Sequence, residues 1–379
     1  MRALIAICIL FSSCNMGATF TDQAQEKVNL LIGTYTDSGD SEGIYVYTFD
    51  SDSGTLTYKN KLTGIDNPSF LTLSPDLKHV YAVSEWGKDS TGTVYAYNFD
   101  QESGEMKFLN KVSSGGNGPC YISTDPTGSY VFTANYGSGS LVAIPILEDG
   151  SLNNEIQAIY HKGNTLNGKE GATRMHAAAV SPDNSTLFVT NLGTSKITGY
   201  PLNVNRESFP LDTTNLSIFS LPENSGPRHF TFHPNEQYAY FINELNGDIT
   251  LFDYEKGLLK EKQQISIVPD GFTGKFAAAD IHISPDGKFL YGSNRLELNE
   301  IVIFKIDQNN GKLSYVDRQP SGGETPRSFA IDPSGKFLLV ANQNTNDITV
   351  FLRDQETGLL SETSEKISIG KPVCLKFAY

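Results

Sequence analysis

One turn recurs along almost the whole chain of 379 residues, and it leaves few architectures open. It reads Ser74-Pro75-Asp76, Asp125-Pro126-Thr127-Gly128, Ser181-Pro182-Asp183, His233-Pro234-Asn235, Ser284-Pro285-Asp286-Gly287 and Asp332-Pro333-Ser334-Gly335, with successive prolines 51, 56, 52, 51 and 48 residues apart. Proline presets φ for the second position of a turn, and the Asp, Asn or Gly that follows closes it. A period of about 50 residues is that of a four-stranded propeller blade.

The segments around each turn alternate apolar and polar residues with the period of a strand. Pro68-Ser-Phe-Leu-Thr-Leu73 and Pro326-Arg-Ser-Phe-Ala-Ile331 precede it, and His79-Val-Tyr-Ala-Val-Ser84 and Lys336-Phe-Leu-Leu-Val-Ala341 follow. A third strand such as Gly92–Phe99 or Asp347–Phe351 comes next, and then a second turn, Glu102-Ser-Gly104 or Glu356-Thr-Gly358, before a fourth. Six copies are complete. Asn29-Leu-Leu-Ile-Gly-Thr34 reads as a second strand without a first, and Pro372-Val-Cys-Leu-Lys-Phe377 as a first strand with nothing after it. Joining the two predicts an all-β, seven-bladed β-propeller of four-stranded blades whose ring is closed by its N- and C-terminal strands, which removes exposed sheet edges.

In a propeller the first strand of a blade lines the central channel and the second runs antiparallel beside it. The start of one and the end of the other therefore meet at one rim. Six residues before each turn proline stand Ser69, Cys120, His176, Arg228, Ala279 and Arg327; ten residues after it stand Glu85, Tyr136, Leu192, Glu244, Arg295 and Gln343. A bare scaffold needs only bland residues there. Instead one His, three Arg and two Glu are expected at one channel mouth, a convergence that marks a binding or catalytic centre. Taken singly, each has a structural reading. His176 could be a satisfied buried group, Arg228 and Glu244 an ion pair within one blade, and Arg295 and Arg327 donors to loop carbonyls. The shared register favours function. His229 and His282 lie nearby at other offsets, candidate substrate contacts beside Glu85 and Arg327, while their irregular spacing, like that of His233, equally suits structural groups.

Other chemistries find no pattern here. A net charge of −14 argues against nucleic acid, whose backbone demands clustered Lys and Arg. No spacing of His, Asp and Glu suggests a metal site, and no cofactor is expected. Gly33, Gly137 and Gly139 read as turn glycines, not as a phosphate loop. No serine stands on a nucleophile elbow. Acid–base chemistry without a metal remains.

The first residues read as a targeting segment. Arg2 supplies a positive start, Ala3–Phe11 is an apolar run too short to span a bilayer, and Ser12-Ser13-Cys14 follows. Residues 1–13 are expected to be a lipoprotein-type signal peptide, although Phe11 stands where Leu is more usual. Cys14 would be the lipidated N-terminus, residues 14–27 a tether and 28–379 the propeller. Membrane contact would come through that anchor alone, and the protein would be exported to the bacterial cell envelope. Cys8 would be removed, leaving Cys120 and Cys374 on different blades as free buried thiols.

Gly226-Pro-Arg-His-Phe-Thr-Phe-His-Pro234, Ile281-His-Ile-Ser-Pro-Asp-Gly287, Ser293-Asn-Arg295 and Thr325-Pro-Arg327 resemble the seven-bladed lactonase family, from about residue 29 to the C-terminus. That family includes the propeller-type 6-phosphogluconolactonases of bacteria and the fungal carboxymuconate-lactonizing enzymes. The resemblance implies hydrolysis of a sugar lactone, with His176, Arg228, Glu244 and Arg295 as the catalytic set. It implies Arg228 or Arg295 as the oxyanion donor, His176 or Glu244 as the base, and Arg327 holding a phosphate or carboxylate. A base at His176 predicts an ionisation near neutral pH. The resemblance implies 6-phosphogluconolactone or an unphosphorylated aldonolactone as substrate; phosphorylated lactones should be scarce outside the cytoplasm, so an export signal leaves room for the unphosphorylated aldonolactone, another lactone or a carboxylate sugar. The alternatives are a non-catalytic binding propeller and a muconate-type cycloisomerase.

Overall fold

A computed structural model of the chain describes residues 27–86, 92–163, 172–205 and 209–379, with the backbone of 165–166 and 169–170. Residues 1–26, and with them the expected signal peptide and Cys14, lie outside the described residues. Seven antiparallel four-stranded sheets follow one another along the chain. Blade 1 runs Leu71–Leu73, His79–Ser84, Thr93–Phe99 and Met106–Ser113; blade 2 runs Pro119–Thr124, Tyr130–Asn135, Ser140–Pro145 and Gln157–Tyr160. Blade 3 is Met175–Val180, Thr186–Asn191, Lys196–Pro201 and Ser217–Ser220, and blade 4 is Pro227–Phe232, Tyr238–Asn243, Asp248–Glu255 and Leu258–Ser266. Blade 5 is Phe276–Ile283, Phe289–Leu296, Glu300–Ile306 and Leu313–Pro320, and blade 6 is Pro326–Ile331, Phe337–Asn342, Asp347–Arg353 and Leu360–Ser368. Blade 7 takes its first strand, Pro372–Ala378, from the C-terminus and the rest, Lys27–Thr34, Gly43–Asp50 and Leu56–Thr63, from the N-terminus. Each first strand touches the first strands of both neighbouring blades, so the seven close a ring around a channel.

The recurring turn has one geometry in all six places. The residue two after the proline has positive φ: Leu77 58°, Gly128 69°, Asn184 53°, Glu236 62°, Gly287 69° and Gly335 70°. Its N–H donates to the carbonyl of the residue before the proline at 2.8–3.0 Å, the pattern of a type I turn followed by a left-handed residue. Serine at the first position adds a bond to the aspartate after the proline, 2.6 Å for Ser74 to Asp76 and for Ser181 to Asp183. The longer spacing between Pro126 and Pro182 accommodates a short extra hairpin, Thr165–Leu166 against Lys169–Glu170.

The core lies between blades. Fully buried Tyr81, Tyr240 and Tyr291 sit on second strands, and each donates its hydroxyl to a glycine carbonyl in the next blade: Gly150 at 3.0 Å, Gly311 at 2.7 Å and Gly358 at 2.9 Å. The outer turns of one blade are thereby tied to the middle of its neighbour. Ring closure pairs Leu30 with Phe377, Ile32 with Leu375 and Gly33 with Cys374. Gly33 is thus a strand residue and not the turn glycine its type suggested; a Cβ there would stand 2.4 Å from the Pro68 carbonyl oxygen, where blade 7 meets blade 1. Cys120 and Cys374 are buried and free.

Candidate active site

The mouth is built by an irregularity that repeats around the ring. Pairing between first and second strands shifts at Pro119/Tyr121, Met175/Ala177, Pro227/His229, Ala278/Ile281 and Pro326/Ser328. The residues skipped are Cys120, His176, Arg228, Ala279 with Asp280, and Arg327. A bulge leaves its extra residue outside the ladder and turns it out of strict alternation. The position six before the turn proline is therefore the bulge itself. In blades 3 and 5 a hydroxyl on the second strand takes up the loosened amide, with Ala177 N donating to Thr190 Oγ1 and Asp280 N to Ser293 Oγ, both at 2.9 Å.

The second-strand ends deliver the opposing charges. Glu244 Oε2 stands 2.9 Å from Arg228 Nε and 2.9 Å from Arg295 Nη2. The Arg228 N–H is not aimed at that oxygen, so this contact is ionic and not a directed hydrogen bond. Arg295 also donates to the Ala277 and Ala278 carbonyls at 3.1 and 3.2 Å, and Arg228 Nη1 to the Ala279 carbonyl at 2.6 Å. The structural readings of these arginines are thus true as far as they go, and they describe how a functional cluster is held. Arg327 differs. Its guanidinium lies 5.6 Å over the Tyr35 ring, and among the described residues no hydrogen bond or ion pair ties it down. Glu85 accepts from Tyr35 Oη at 2.8 Å.

Burial and charge set the protonation states. Burial pushes the Glu244 carboxyl up, but Arg295, Arg228 and Arg327 together outweigh it and hold it below its ordinary 4.5. The Arg228 guanidinium is lowered from 12.5 to about 10, first by burial and then by the repulsion of Arg295 and Arg327, and it remains charged at neutrality. His176 is held well below 6.5, by burial first and then by Arg228, His229, Arg327 and Arg295. Both effects favour the neutral ring at physiological pH, against the expected ionisation near neutrality: burial, and after it the arginines that make the site useful, disfavour the imidazolium. Only 4% of the residue is exposed, and its Nδ1 has no hydrogen-bond partner. Burial also raises the Cys120 thiol, which points at the Met175 and His176 carbonyls and is no nucleophile.

The structure brings His176, Arg228, Glu244, Arg295, Arg327 and Glu85 to the mouth. It does not bring His282 there. That ring lies further along its strand, 3.2 Å from Asp280 Oδ2 and 4.8 Å from the Phe329 ring. His229 sits behind Arg228, buried against Asp280, and His233 bonds the Gly287 carbonyl at a turn. Two residues escaped the sequence reading. Tyr35 follows Thr34 as Glu244 follows Asn243, but its blade lacks the proline from which the register was counted. Asp280 stands in the apolar run Phe276–Ile283, where one charged residue is itself a signal. Among the described residues no three His, Cys, Asp or Glu side chains gather in a metal-holding cluster.

A family model described as "Lactonase, 7-bladed beta-propeller" matches residues 29–377. The chain belongs to the seven-bladed β-propeller lactonase family. This lactonase-family propeller is 35% identical to a 6-phosphogluconolactonase of Formosa agariphila over 90% of the chain and 96% of that protein. It is 33% identical to the 6-phosphogluconolactonase of Bacillus subtilis, covering 92% and 97%. Among solved structures, the periplasmic gluconolactonase of Pseudomonas aeruginosa superposes with a TM-score of 0.87 at 35% identity, covering 93% of this chain and 99% of that one.

Proposed function

We propose that this lactonase-family propeller opens a sugar lactone with water, using His176 as general base, Arg228 and Arg295 as donors to the developing oxyanion, and Arg327 as the anchor for the substrate's charged or hydroxylated end. The observation that carries the assignment is the contrast between the two candidate bases. Glu244 is gripped by two guanidinium groups and would lose both attractions on taking a proton. His176 is neutral, buried, and has an unpartnered Nδ1. Its proton affinity is low because it is buried and, after that, because arginines crowd it. As water adds to the ester carbonyl, negative charge grows beside those arginines, and the penalty for an imidazolium falls in step. The proton taken from water then passes to the departing ring oxygen, so the products are an open-chain acid with a free hydroxyl. Arginine suits the anchoring role because its planar fork meets carboxylate or phosphate in two bonds.

The proposed substrate is an unphosphorylated aldonolactone met outside the cytoplasm. Support comes from the apolar N-terminal run Ala3–Phe11 with Ser12-Ser13-Cys14 after it, and from the likeness to a periplasmic gluconolactonase. The test compares glucono-δ-lactone with 6-phosphogluconolactone, each corrected for spontaneous opening. A higher kcat/KM on the unphosphorylated lactone is expected. A preference of tenfold or more for the phosphorylated one would sink this part of the proposal, and binding of gluconate without turnover of either lactone would leave a binding propeller. Lipidation at Cys14 is proposed with it. Cells fed a fatty-acid label should mark the wild-type chain and not Cys14→Ser; equal or absent labelling would refute the anchor.

A further inference from the structure

Arg228 and His229 are neighbours in sequence, and a regular strand would send their side chains to opposite faces. The bulge between Pro227 and His229 lets both enter the channel. Arg228 is 1% exposed, and its guanidinium is held from two directions. Glu244 faces it at the rim, while behind it Nη1 lies 2.6 Å from the Ala279 carbonyl and 3.3 Å from His229 Nε2.

An arginine nitrogen can only donate, so His229 Nε2 must accept and the ring proton must sit on Nδ1. Nδ1 in turn lies 2.8 Å from Asp280 Oδ1. That carboxylate has no freedom to turn. Oδ1 also accepts from Ile281 N at 3.0 Å, Oδ2 accepts from Phe329 N at 3.2 Å, and His282 Nε2 stands 3.2 Å from Oδ2. Asp280 N is fixed to Ser293 Oγ at 2.9 Å. The ring of His229 is wedged edge-to-face against Phe70, Tyr121 and His176, with centroids 5.7, 5.3 and 5.1 Å away. A chain of directional contacts therefore runs from a carboxylate locked between blades 5 and 6, through a histidine of one tautomer, to an arginine of the mouth.

We propose that Asp280 and His229 are positioning residues: Asp280 fixes His229 as the Nδ1–H tautomer, and the Nε2 lone pair thereby sets the plane of the Arg228 guanidinium for the oxyanion. The proposal rests on the lactone-opening reading of the mouth. Donors to an oxyanion act through preorganisation, and an error of about 1 Å costs on the order of 100-fold in rate.

Three variants of the full propeller test it. In Asp280→Asn the amide can donate to His229 Nδ1, moving the ring proton to Nε2, where it faces the Arg228 N–H donor to donor. Expected is a fall in kcat of about 10- to 100-fold with KM changed less than about threefold. In ring-nitrogen NMR the Nδ1–H signature of His229 in the wild type should be replaced by that of Nε2–H. His229→Gln places a carbonyl oxygen near the Nε2 position and should stay within about tenfold of wild type, whereas His229→Leu, of similar volume but without an acceptor, should lose about 100-fold. That pair decides the matter even if Asp280→Asn fails to fold. Equal losses in the glutamine and leucine variants, or wild-type kcat in His229→Leu, overturn the proposal, as does an Nε2–H ring in the wild type. A folded wild type without lactonase activity overturns the functional reading and the proposal together, an outcome distinct from an active wild type with indifferent variants.

Discussion

His176→Ala is expected to lower kcat for lactone opening by about 10²- to 10⁴-fold while the protein stays folded, which at 1.36 kcal/mol per tenfold is about 2.7–5.4 kcal/mol of barrier. The residue makes no side-chain hydrogen bond through Nδ1, so the fold loses packing but no polar partner. Millimolar imidazole should restore part of the rate by filling the space left behind. The wild-type pH–rate profile is expected to be flat between about pH 6 and 8. The sign follows from the depressed proton affinities. His176, held well below 6.5, is already the neutral base at neutrality, and Glu244, held below 4.5, is already ionised. Activity therefore fades only in acid, as His176 takes a proton. A His176→Ala enzyme within tenfold of wild type and indifferent to imidazole would transfer the base to Glu244.

Removing residues 372–379 is expected to abolish the cooperative fold. The deleted strand carries Val373, Cys374 and Leu375, all buried, and pairs along Asn29–Thr34. Burying a side chain of this size contributes about 1.5–3 kcal/mol, and whole domains are stable by only about 5–15 kcal/mol. Three such losses consume most of that margin. The seven first strands also touch in a closed cycle, so the deletion opens the ring between blades 6 and 1 and exposes the edge of Lys27–Thr34 to other chains. Far-ultraviolet circular dichroism through a thermal ramp would check this. A sharp melt within about 5 °C of the full chain, where about 1 kcal/mol shifts a domain by only a few degrees, would show that closure is dispensable.

The blade count, the borrowed closing strand and six of the mouth residues were all legible because each rests on local chemistry. A proline turn with a left-handed residue two places on is decided within four residues, and repeating it six times fixes both the number of blades and the register of the strands between. From that register, positions six before and ten after the proline follow by counting, and His176, Arg228, Glu244, Arg295, Arg327 and Glu85 do meet. How groups from different blades act on one another once they meet was closed to such counting. Glu244 is shared between arginines of two blades, and the state of His176 is set first by burial and then by His229 and three arginines on blades 4, 5 and 6. Long-range electrostatics of this kind depends on distance through space and on the loss of water, neither of which a sequence records. Bulges likewise turn Arg228 and His229 to the same side, against the alternation their adjacency predicts. The role of Asp280 exists only because the ring sets its carboxylate beside a histidine 51 residues away.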